Sequence, residues 1–232
     1  MILCFDMDGT LTESRQPIDY AMEKKLQELI AEGHRVWIVT GSTEPRCREQ
    51  LRSLFHLAEK VFCCSGSEEW VRGQLVDKDT WSPDIGLIFD LYTFLDKCDF
   101  PHKTGKHIDI RSGMVNFSIT GQNASQEVRD AFQSYDRKYD YRRELVWDIQ
   151  DKYPDLHVTR GGTTSIDICP VGGGKQSILK YFDDEVWFFC DEASEDGNDF
   201  ILAQCILMQG GKVYHVRHPD QTYDCLEELK FD

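Results

Sequence analysis

Several features that would assign a protein to a particular class are missing from this 232-residue chain. It has no apolar run of about 18 residues, so the sequence predicts no transmembrane helix. Its N-terminus lacks a basic segment, and the first apolar run is too short for a secretory signal, so we expect a cytoplasmic protein. With 26 Lys and Arg against 41 Asp and Glu, the net charge of −15 argues against nucleic acid or an anionic membrane as a partner.

Patterns typical of nucleotide-binding and disulfide-bonded proteins are missing as well. No Gly-x-Gly-x-x-Gly follows the first apolar run, and the glycines before Lys175 lack the spacing of a P-loop. The nine cysteines are odd in number and lie mostly inside apolar runs, and the adjacent pair Cys63 and Cys64 does not have zinc-site spacing. We therefore expect reduced, buried thiols, and neither a dinucleotide site nor a disulfide framework.

The most informative stretch near the N-terminus reads Phe-Asp-Met-Asp-Gly-Thr, residues 5–10. The apolar run before it predicts a buried parallel strand, and ligands of open α/β sheets collect at the carboxyl ends of such strands. Two carboxylates that emerge there, Asp6 and Asp8, repel each other unless they share a cation or a proton. The pattern predicts a Mg²⁺ site with a carboxylate nucleophile. The alternative is an Asp-Gly turn whose acids lie in solvent.

The following residues alternate between helical and strand-like patterns. Apolar spacing predicts a helix over residues 17–32 and a strand over 35–39, and this order predicts a right-handed βαβ unit. A helix over 44–56 and a strand over 61–64 come next. A hairpin that turns at Arg72 and Gly73 ends this part of the chain.

Residues 82–171 differ in pattern. Residues 85–98 predict a helix, and the runs 107–111 and 114–120 predict an antiparallel hairpin across a Ser-Gly pair. Two helices (125–139 and 142–153) and two strands (157–159 and 165–169) complete an inserted α+β unit. The first helix carries an apolar stripe that faces either its own sheet or a second copy of the chain. The stripe consists of Ile85, Ile88, Phe89, Tyr92 and Leu95.

The α/β pattern resumes after residue 171, with a helix over 175–182, a strand over 185–190, a helix over 200–208, a strand over 212–216 and a helix over 222–229. We therefore predict an α/β protein with two domains. Residues 1–81 and 172–232 form a Rossmann-like core with a parallel sheet. Residues 82–171 form an inserted α+β unit with an antiparallel sheet.

Residues at the ends of other predicted strands are the candidate partners of the Asp6 pair. Thr40 ends the second strand, where a hydroxyl and free N–H groups hold a phosphate oxygen. Helix capping is the alternative for Thr40 and the preferred role for Ser42. Asp191 ends a later strand. With Asp6 and the backbone carbonyl of Asp8, it makes a minimal Mg²⁺ ligand set.

The loop after this later strand adds further acids. We interpret Asp199 as a metal ligand, a partner of a ligand or a helix N-cap. Glu192, Glu195 and Asp196 are expected in solvent. Lys175 opens a helix after three glycines, a setting that favours anion binding. We interpret Lys175 as the cation that offsets charge on a transferring phosphoryl group.

Taken in order, these elements resemble the haloacid dehalogenase (HAD) phosphotransferases: Asp-x-Asp-Gly-Thr, a strand-ending Thr, a later Lys, and a strand-ending Asp followed by Gly-Asn-Asp. The resemblance implies a HAD-like core in which Asp6 attacks phosphorus and forms an aspartyl phosphate. Asp8 would donate a proton to the leaving oxygen and later take one from the acceptor. Lys175 and Mg²⁺ would offset charge on the phosphoryl oxygens. The implied metal ligands are Asp6, Asp8, Asp191 and Asp199.

The inserted unit resembles one HAD family, eukaryotic-type phosphomannomutase, whose cap is of the C2 type. The resemblance implies that residues 82–171 are a cap domain with a role in substrate specificity and that residues 1–81 with 172–232 are the catalytic domain. Residues 111–116, Arg-Ser-Gly-Met-Val-Asn, are similar to the family's Arg-Asn-Gly-Met-Leu-Asn hairpin. Residues 125–129, Ser-Gln-Glu-Val-Arg, are similar to its Ser-Gln-Glu-Glu-Arg helix start. Ser-Ile-Asp-Ile at 165–168 and Gly-Asn-Asp at 197–199 parallel its Ser-Phe-Asp-Val and Gly-Gly-Asn-Asp.

The resemblance also implies which cap residues bind substrate. Arg111 and Arg129 would bind a phosphate on the far side of the sugar, because a guanidinium fork meets phosphate with two N–H groups. The alternative for both is a solvent-exposed face. Ser165 and Asp167 would contact sugar hydroxyls. Gln122 is the nearest counterpart of a family Arg, so one cationic contact of this substrate site is replaced by a neutral amide.

These patterns leave three activities. The first is interconversion of hexose 6- and 1-phosphates, with mannose 6-phosphate to mannose 1-phosphate as the family reaction. The second is a sugar-phosphate phosphatase, since Thr40 is typical of HAD phosphatases where the mutase family has Gly. The third is a binding or regulatory protein phosphorylated on Asp6. We expect a small sugar phosphate, Mg²⁺ and a second copy of the chain, bound through the cap, as partners.

Overall fold

The contacts within the computed structural model, which describes residues 1–229, divide the chain into two compact units. The core unit comprises Met1–Lys78, Lys175–Glu195 and the chain from Asp199 onward. The inserted unit comprises Asp79–Gly174 and Asp196–Asn198. The catalytic role predicted for the core and the specificity role predicted for the insertion stay predictions.

Within residues 1–229 the two units contain eleven strands and eight α-helices. The strands are β1 (Ile2–Phe5), β2 (Arg35–Val39), β3 (Lys60–Cys63), β4 (Glu68–Val71), β5 (Gln74–Lys78), β6 (Ile108–Arg111), β7 (Met114–Ser118), β8 (Leu156–Gly161), β9 (Ser165–Pro170), β10 (Val186–Cys190) and β11 (Lys212–His215). The helices are α1 (Tyr20–Ala31), α2 (Glu44–Leu51), α3 (Leu54–Leu57), α4 (Ile85–Lys97), α5 (Gln126–Tyr139), α6 (Tyr141–Lys152), α7 (Phe200–Met208) and α8 (Pro219–Glu228).

The core unit is built on a seven-stranded sheet in the order β11-β10-β1-β2-β3-β4-β5. The strands from β11 to β3 are parallel, and β4 and β5 form an antiparallel hairpin that turns at Arg72 and Gly73, as predicted. β1 and β10 are buried along their whole length, because both faces of a parallel sheet are covered. The predicted α/β class is confirmed. The carboxyl ends of β1, β2 and β10 lie side by side at one edge.

The inserted unit contains a four-stranded antiparallel sheet in the order β6-β7-β9-β8. Alternate residues such as Val115, Phe117 and Ile166 are buried in an apolar cluster with residues of α4, α5 and α6. The other face is polar, since Asp109 pairs with Asn116 across one ladder and Asn116 with Asp167 across the next. Period-two alternation therefore assigns one sheet face to the core of the unit and the other to polar contacts.

Two predicted helices differ from the structure. The helix predicted over residues 44–56 is divided into α2 and α3 at Arg52, whose φ of 52° is incompatible with a continuous right-handed helix. Lys175–Tyr181 is a 3₁₀ helix, a tighter turn than the predicted α-helix. Within residues 1–229 no helix is long and apolar enough to cross a membrane.

The apolar stripe predicted on α4 is divided between two faces of the helix. Leu87, Leu91 and Leu95 are buried inside the inserted unit, whereas Ile85, Phe89 and Tyr92 are 83%, 71% and 52% exposed. All nine cysteines are unbridged in the structure and seven are buried, so the predicted burial of most thiols is confirmed. The main difference from the predicted stripe is therefore that three of its residues, Ile85, Phe89 and Tyr92, are exposed.

Candidate active site

Asp6 continues the chain directly after β1 and is held by Lys175. Its backbone N–H still donates to Phe189, and its side chain is buried. The Lys175 ammonium donates to Oδ1 of Asp6 over 2.5 Å and to Oδ1 of Asp199 over 2.7 Å. Lys175 is only 2% exposed. One cation therefore bridges two buried carboxylates, one after β1 and one before α7.

The electrostatics of this cluster follow from its burial. Burial raises the pKa of Asp6 to about 7, with Lys175 opposing the shift and Asp199 adding to it. Burial and the charges of Asp6 and Asp199 raise the pKa of Asp191 to about 9. Burial opposes the charge of Lys175 too, but Asp199 and Asp6 outweigh it and raise the pKa of its ammonium. The pKa values of Asp6 and Asp191 are thus raised because three buried carboxylates lie close together and only one positive charge offsets them.

The cluster fits a divalent cation with oxygen ligands. One carboxylate oxygen from each of Asp6, Asp191 and Asp199 lies within 4.8 Å of the other two. Oδ2 of Asp199 is buried and accepts no hydrogen bond from any of residues 1–229. Gly9, with φ +90°, makes room for the cluster, because a Cβ there would lie 2.3 Å from Oδ2 of Asp191. Three carboxylates beside one ammonium match the few-carboxylate sites that Mg²⁺ takes.

The carboxylate of Asp8 is not among these clustered oxygens and has partners of its own. Its Oδ1 accepts from the backbone N–H of Arg15 over 2.9 Å and from Nε2 of Gln50 over 3.1 Å. Its Oδ2 accepts from Oγ of Ser42 over 3.2 Å. The structure therefore separates the two acids of the motif, placing Asp6 with the acidic cluster and Asp8 among hydrogen-bond donors.

Two of the residues that bind Asp8 differ from expectation: Ser42 is not the predicted helix cap, and Gln50 was not predicted as a site residue. Ser42 does not cap α2: the N-cap residue is Thr43, whose side chain makes no capping bond, and the Ser42 hydroxyl turns to Asp8 instead. Gln50 follows Cys47 by three residues, on the buried face of α2. A polar residue at an apolar helix position was the signal that pointed to it, because such a group needs a partner.

Thr40 ends β2, at the same sheet edge as Asp6. It is buried, and its backbone N–H donates to Phe62 on β3. Its Oγ1 accepts from the N–H of Ser42 over 3.1 Å, which orients the hydroxyl. A buried hydroxyl whose oxygen already accepts one bond is placed to donate its hydrogen to an anion.

Polar residues of the inserted unit form a network on the polar face of its sheet. Nδ2 of Asn116 donates to Oδ1 of Asp167 over 2.7 Å and to Oγ of Ser165 over 3.1 Å. Nε2 of Gln122 donates to Oδ1 of Asn116 over 2.6 Å. Asp167 also lies against Gly161, where a Cβ would lie 2.6 Å from Oδ2. Asn116 belongs to the Met-Val-Asn motif but was not predicted as a site residue.

The predicted phosphate-binding arginines of the inserted unit have protein partners. Nε of Arg111 donates to Oδ2 of Asp109 over 2.7 Å. Arg129 is buried, and its Nη2 donates to Oγ1 of Thr163 over 3.0 Å. The structure places both near polar partners in the same unit as Asp167.

Arg142 and Asp196 form ion pairs that hold parts of the inserted unit together. Arg142 is buried, pairs with Asp136 and donates to the carbonyl of Gly162, so it joins α5, α6 and the turn before β9. The expectation that Asp196 lies in solvent is wrong. Its carboxylate accepts from Arg160 over 2.6 Å and from Arg143 over 3.3 Å. Paired carboxylates of this kind are drawn out of solvent by two guanidinium groups.

A family model described as eukaryotic phosphomannomutase matches residues 22–231. A phosphomannomutase of Dendrobium officinale is 34% identical over 96% of this chain and 91% of its own. Phosphomannomutase 1 of Mus musculus is 34% identical over 99% of this chain and 92% of its own.

A solved structure resembles the fold of the chain. The C-terminal domain of C. albicans trehalose-6-phosphate phosphatase has a TM-score of 0.62 at 15% identity, over 97% of this chain and 90% of that chain. At so low an identity, the likeness shows the HAD fold alone.

Proposed function

Because this chain belongs to the eukaryotic phosphomannomutase family and is thus an enzyme of the HAD phosphotransferase type, we propose that it transfers a phosphoryl group through Asp6. The proposed reaction interconverts mannose 6-phosphate and mannose 1-phosphate. The observation that carries it is the buried bridge from Lys175 to Asp6 and Asp199, with Asp191 in reach. This arrangement supports a nucleophilic carboxylate beside a cation site.

In the proposed reaction Asp6 is the nucleophile. Lys175 holds Oδ1 of Asp6, so Oδ2 is the oxygen that attacks phosphorus. The bond from phosphorus to Oδ2 forms while the bond to the sugar oxygen breaks, and Asp8 gives that oxygen a proton. The donor is a hexose 1,6-bisphosphate, so a hexose monophosphate leaves. In the reverse sequence Asp8 takes a proton from the free hydroxyl of a hexose monophosphate, and the phosphoryl group moves from Asp6 to that oxygen and forms the bisphosphate again. Thr40 donates its hydroxyl hydrogen to a phosphoryl oxygen.

We further propose that Asp6, Asp191 and Asp199, with the backbone carbonyl of Asp8, hold Mg²⁺. When bound there, Mg²⁺ offsets negative charge on the oxygens of the transferring phosphoryl group. Lys175 adds a second positive charge beside the same oxygens. Asp6 would thus have both a metal-ligand role and a nucleophile role.

The inserted unit is proposed to bind the sugar. Ser165 and Asp167 contact hydroxyls, with Asn116 holding both in place. Arg111 and Arg129 bind the phosphate that is not reacting, and Gln122 contributes a neutral amide to the same face. We propose that the inserted unit, Asp79–Gly174 with Asp196–Asn198, is the substrate-specificity domain and that the core unit is the catalytic domain.

A sugar-phosphate phosphatase is the second candidate, and contacts of two predicted substrate residues favour it. Arg111 is paired with Asp109, and Gln122 is neutral and bonded to Asn116. Both reduce the positive charge that would retain a bisphosphorylated sugar. Water would then take the phosphoryl group from Asp6 before the sugar is rebound.

A phosphorus NMR experiment separates the two activities. The protein is incubated with Mg²⁺ and mannose 1-phosphate, with and without a hexose 1,6-bisphosphate. We expect mannose 6-phosphate to appear, and to depend on the bisphosphate. Inorganic phosphate released at a catalytic rate, with no mannose 6-phosphate, would replace the mutase proposal by the phosphatase.

We also propose a second copy of this chain as a partner, bound through α4. Ile85, Phe89 and Tyr92 follow one another at helical spacing on its exposed side. Exposed apolar side chains of this size, grouped on one helix face, are typical of protein interfaces. The high negative charge argues against nucleic acid as a further partner.

A further inference from the structure

The Asp8 carboxylate is held by three hydrogen-bond donors that come from different parts of the core unit. An ionised carboxylate offers about four lone-pair positions, two on each oxygen. Oδ1 uses both of its positions, one for the N–H of Arg15 and one for Nε2 of Gln50. Oδ2 uses one position, for the hydroxyl of Ser42. The position left open among residues 1–229 is therefore on Oδ2.

Gln50 is fixed in the orientation that occupies Oδ1. Its side chain is 1% exposed, and Nε2 donates to Oγ1 of Thr12 over 3.1 Å as well as to Asp8. Turning the amide over would place Oε1, a buried acceptor with no hydrogen-bond partner among residues 1–229, against the Asp8 carboxylate, and the bond to Asp8 would be lost. Its backbone carbonyl also accepts from the N–H of Ile18, so the end of α2 is tied to the segment before α1. Gln50 therefore donates to Asp8 from a fixed side-chain orientation.

Ser42 holds the other oxygen of the Asp8 carboxylate. Its backbone N–H is bonded to Oγ1 of Thr40, which sets the position of Ser42 just after β2. Its Oγ donates to Oδ2 of Asp8 over 3.2 Å and so uses one of the two lone-pair positions of that oxygen. Gln50 and Arg15 thus fill Oδ1, whereas Ser42 fixes Oδ2 and leaves one of its positions open.

We propose that Gln50 and Ser42 are positioning residues that present Oδ2 of Asp8, and not Oδ1, to the oxygen that leaves phosphorus. This inference rests on the proposed function, in which Asp8 protonates that oxygen. Gln50 touches only Oδ1, which it fills, and thereby fixes the carboxylate plane. Ser42 touches Oδ2 and leaves one position of that oxygen for the proton that the leaving oxygen takes.

The nature of the leaving group makes the proposal testable. A sugar hydroxyl leaves phosphorus poorly unless it is protonated, so its departure depends on Asp8. Acetate leaves acetyl phosphate readily as an anion and needs no proton. Loss of Asp8 positioning should slow phosphorylation of Asp6 by a hexose 1,6-bisphosphate and leave phosphorylation by acetyl phosphate unchanged. Damage to Asp6 or to the metal site should slow both.

The experiment measures single-turnover formation of the phosphoenzyme from each donor, with Mg²⁺, for wild type and Gln50→Met. Met has nearly the size of Gln but no N–H. We expect the rate with hexose 1,6-bisphosphate to fall by about 10²-fold, within the range that a positioned acid contributes. The rate with acetyl phosphate should stay within about twofold. Ser42→Ala should give the same selective loss, and Ser42→Thr, which keeps the hydroxyl, should restore it.

Leu51→Met is the matched control, because Leu51 is the buried neighbour of Gln50 on α2 and this exchange of apolar side chains is well tolerated. It should leave both rates near those of the wild type. Equal losses with both donors in Gln50→Met, or no loss with either, would overturn the proposal. If wild type forms no phosphoenzyme from either donor, the proposed function itself is wrong, and that outcome is distinct from a failure of the positioning role.

Discussion

At the scale of single residues, the positive charge of Lys175 offsets the negative charge of the buried carboxylates and so stabilises the folded chain. Its ammonium bonds both Asp6 and Asp199, and all three groups are buried. A buried ion pair adds little stability by itself, but removing one partner leaves an uncompensated charge. Lys175 therefore has a role in folding that is separate from its proposed role in phosphoryl transfer.

Lys175→Met should destabilise the chain even without substrate. We expect the free energy of unfolding, measured with urea in the absence of divalent cations, to fall by about 3–5 kcal/mol, because two carboxylates lose their cation. Lys180→Met is the control, since Lys180 is exposed on the same 3₁₀ helix. Equal stability of the two variants would show that Lys175 does not offset the charge of the cluster.

Mg²⁺ should stabilise the folded chain through the same cluster. At about 100 times its dissociation constant, a ligand of the folded state alone adds about 2.7 kcal/mol. We expect calorimetry to show a higher Tm with Mg²⁺ in wild type and in Glu195→Gln, which alters an exposed acid of the same loop. Asp199→Asn should lose this response. A response kept in Asp199→Asn would exclude Asp199 as a ligand.

At the scale of elements, apolar runs were enough to predict β1, β2 and β10, because strands buried on both faces of a parallel sheet need continuous hydrophobic sequence. They were not enough at residue 52, where the helix is interrupted by a positive φ at an ordinary Arg. Nothing in the local sequence marks that break. The 3₁₀ geometry of Lys175–Tyr181 was equally invisible, since both helix types share similar spacing.

The candidate site likewise contains residues that could be predicted from the sequence and one that could not. Asp6, Lys175, Asp191 and Asp199 were predicted because each lies at the end or start of an element, where the chain order alone brings them to one sheet edge. Gln50 could not be assigned a role, since its contact with Asp8 joins residues 42 positions apart. Such contacts depend on how α2 packs beside the first loop, which no periodicity encodes.

The strand β8 carries a pH-dependent element, His157. Burial lowers the pKa of His157 below its ordinary value of 6.5. The unfolded chain therefore binds this proton more readily than the folded one, and stability is lost as the pH falls below about 6.5, by at most about 1.4 kcal/mol per pH unit. Urea unfolding at pH 7.5 and 5.5 should show a smaller acid loss in His157→Gln than in wild type.

The control for this effect is His102→Gln, which alters an exposed histidine of the same inserted unit. Its acid loss should match that of wild type. If His157→Gln also matched wild type, the ring would titrate alike in the folded and unfolded chains, and burial at β8 would not govern the pH response.

At the scale of the whole molecule, the exposed side of α4 predicts self-association. Phe89→Glu places a charge in the middle of the exposed apolar group of Ile85, Phe89 and Tyr92. We expect sedimentation equilibrium to show a dimer for wild type and a monomer for Phe89→Glu. Lys97→Glu, on another side of the same helix, should remain a dimer. A monomeric wild type, or a dimeric Phe89→Glu, would contradict association through this face.

The most direct measurement asks which residue carries the phosphoryl group. Wild type is mixed with Mg²⁺ and a hexose 1,6-bisphosphate, quenched in acid and digested, and the peptide ending at Arg15 is analysed by mass spectrometry. One phosphoryl group on Asp6 is the predicted result, with none in Asp6→Asn. Hexose phosphate interconversion by Asp6→Asn, or a phosphoryl group on a residue other than Asp6, would contradict the account.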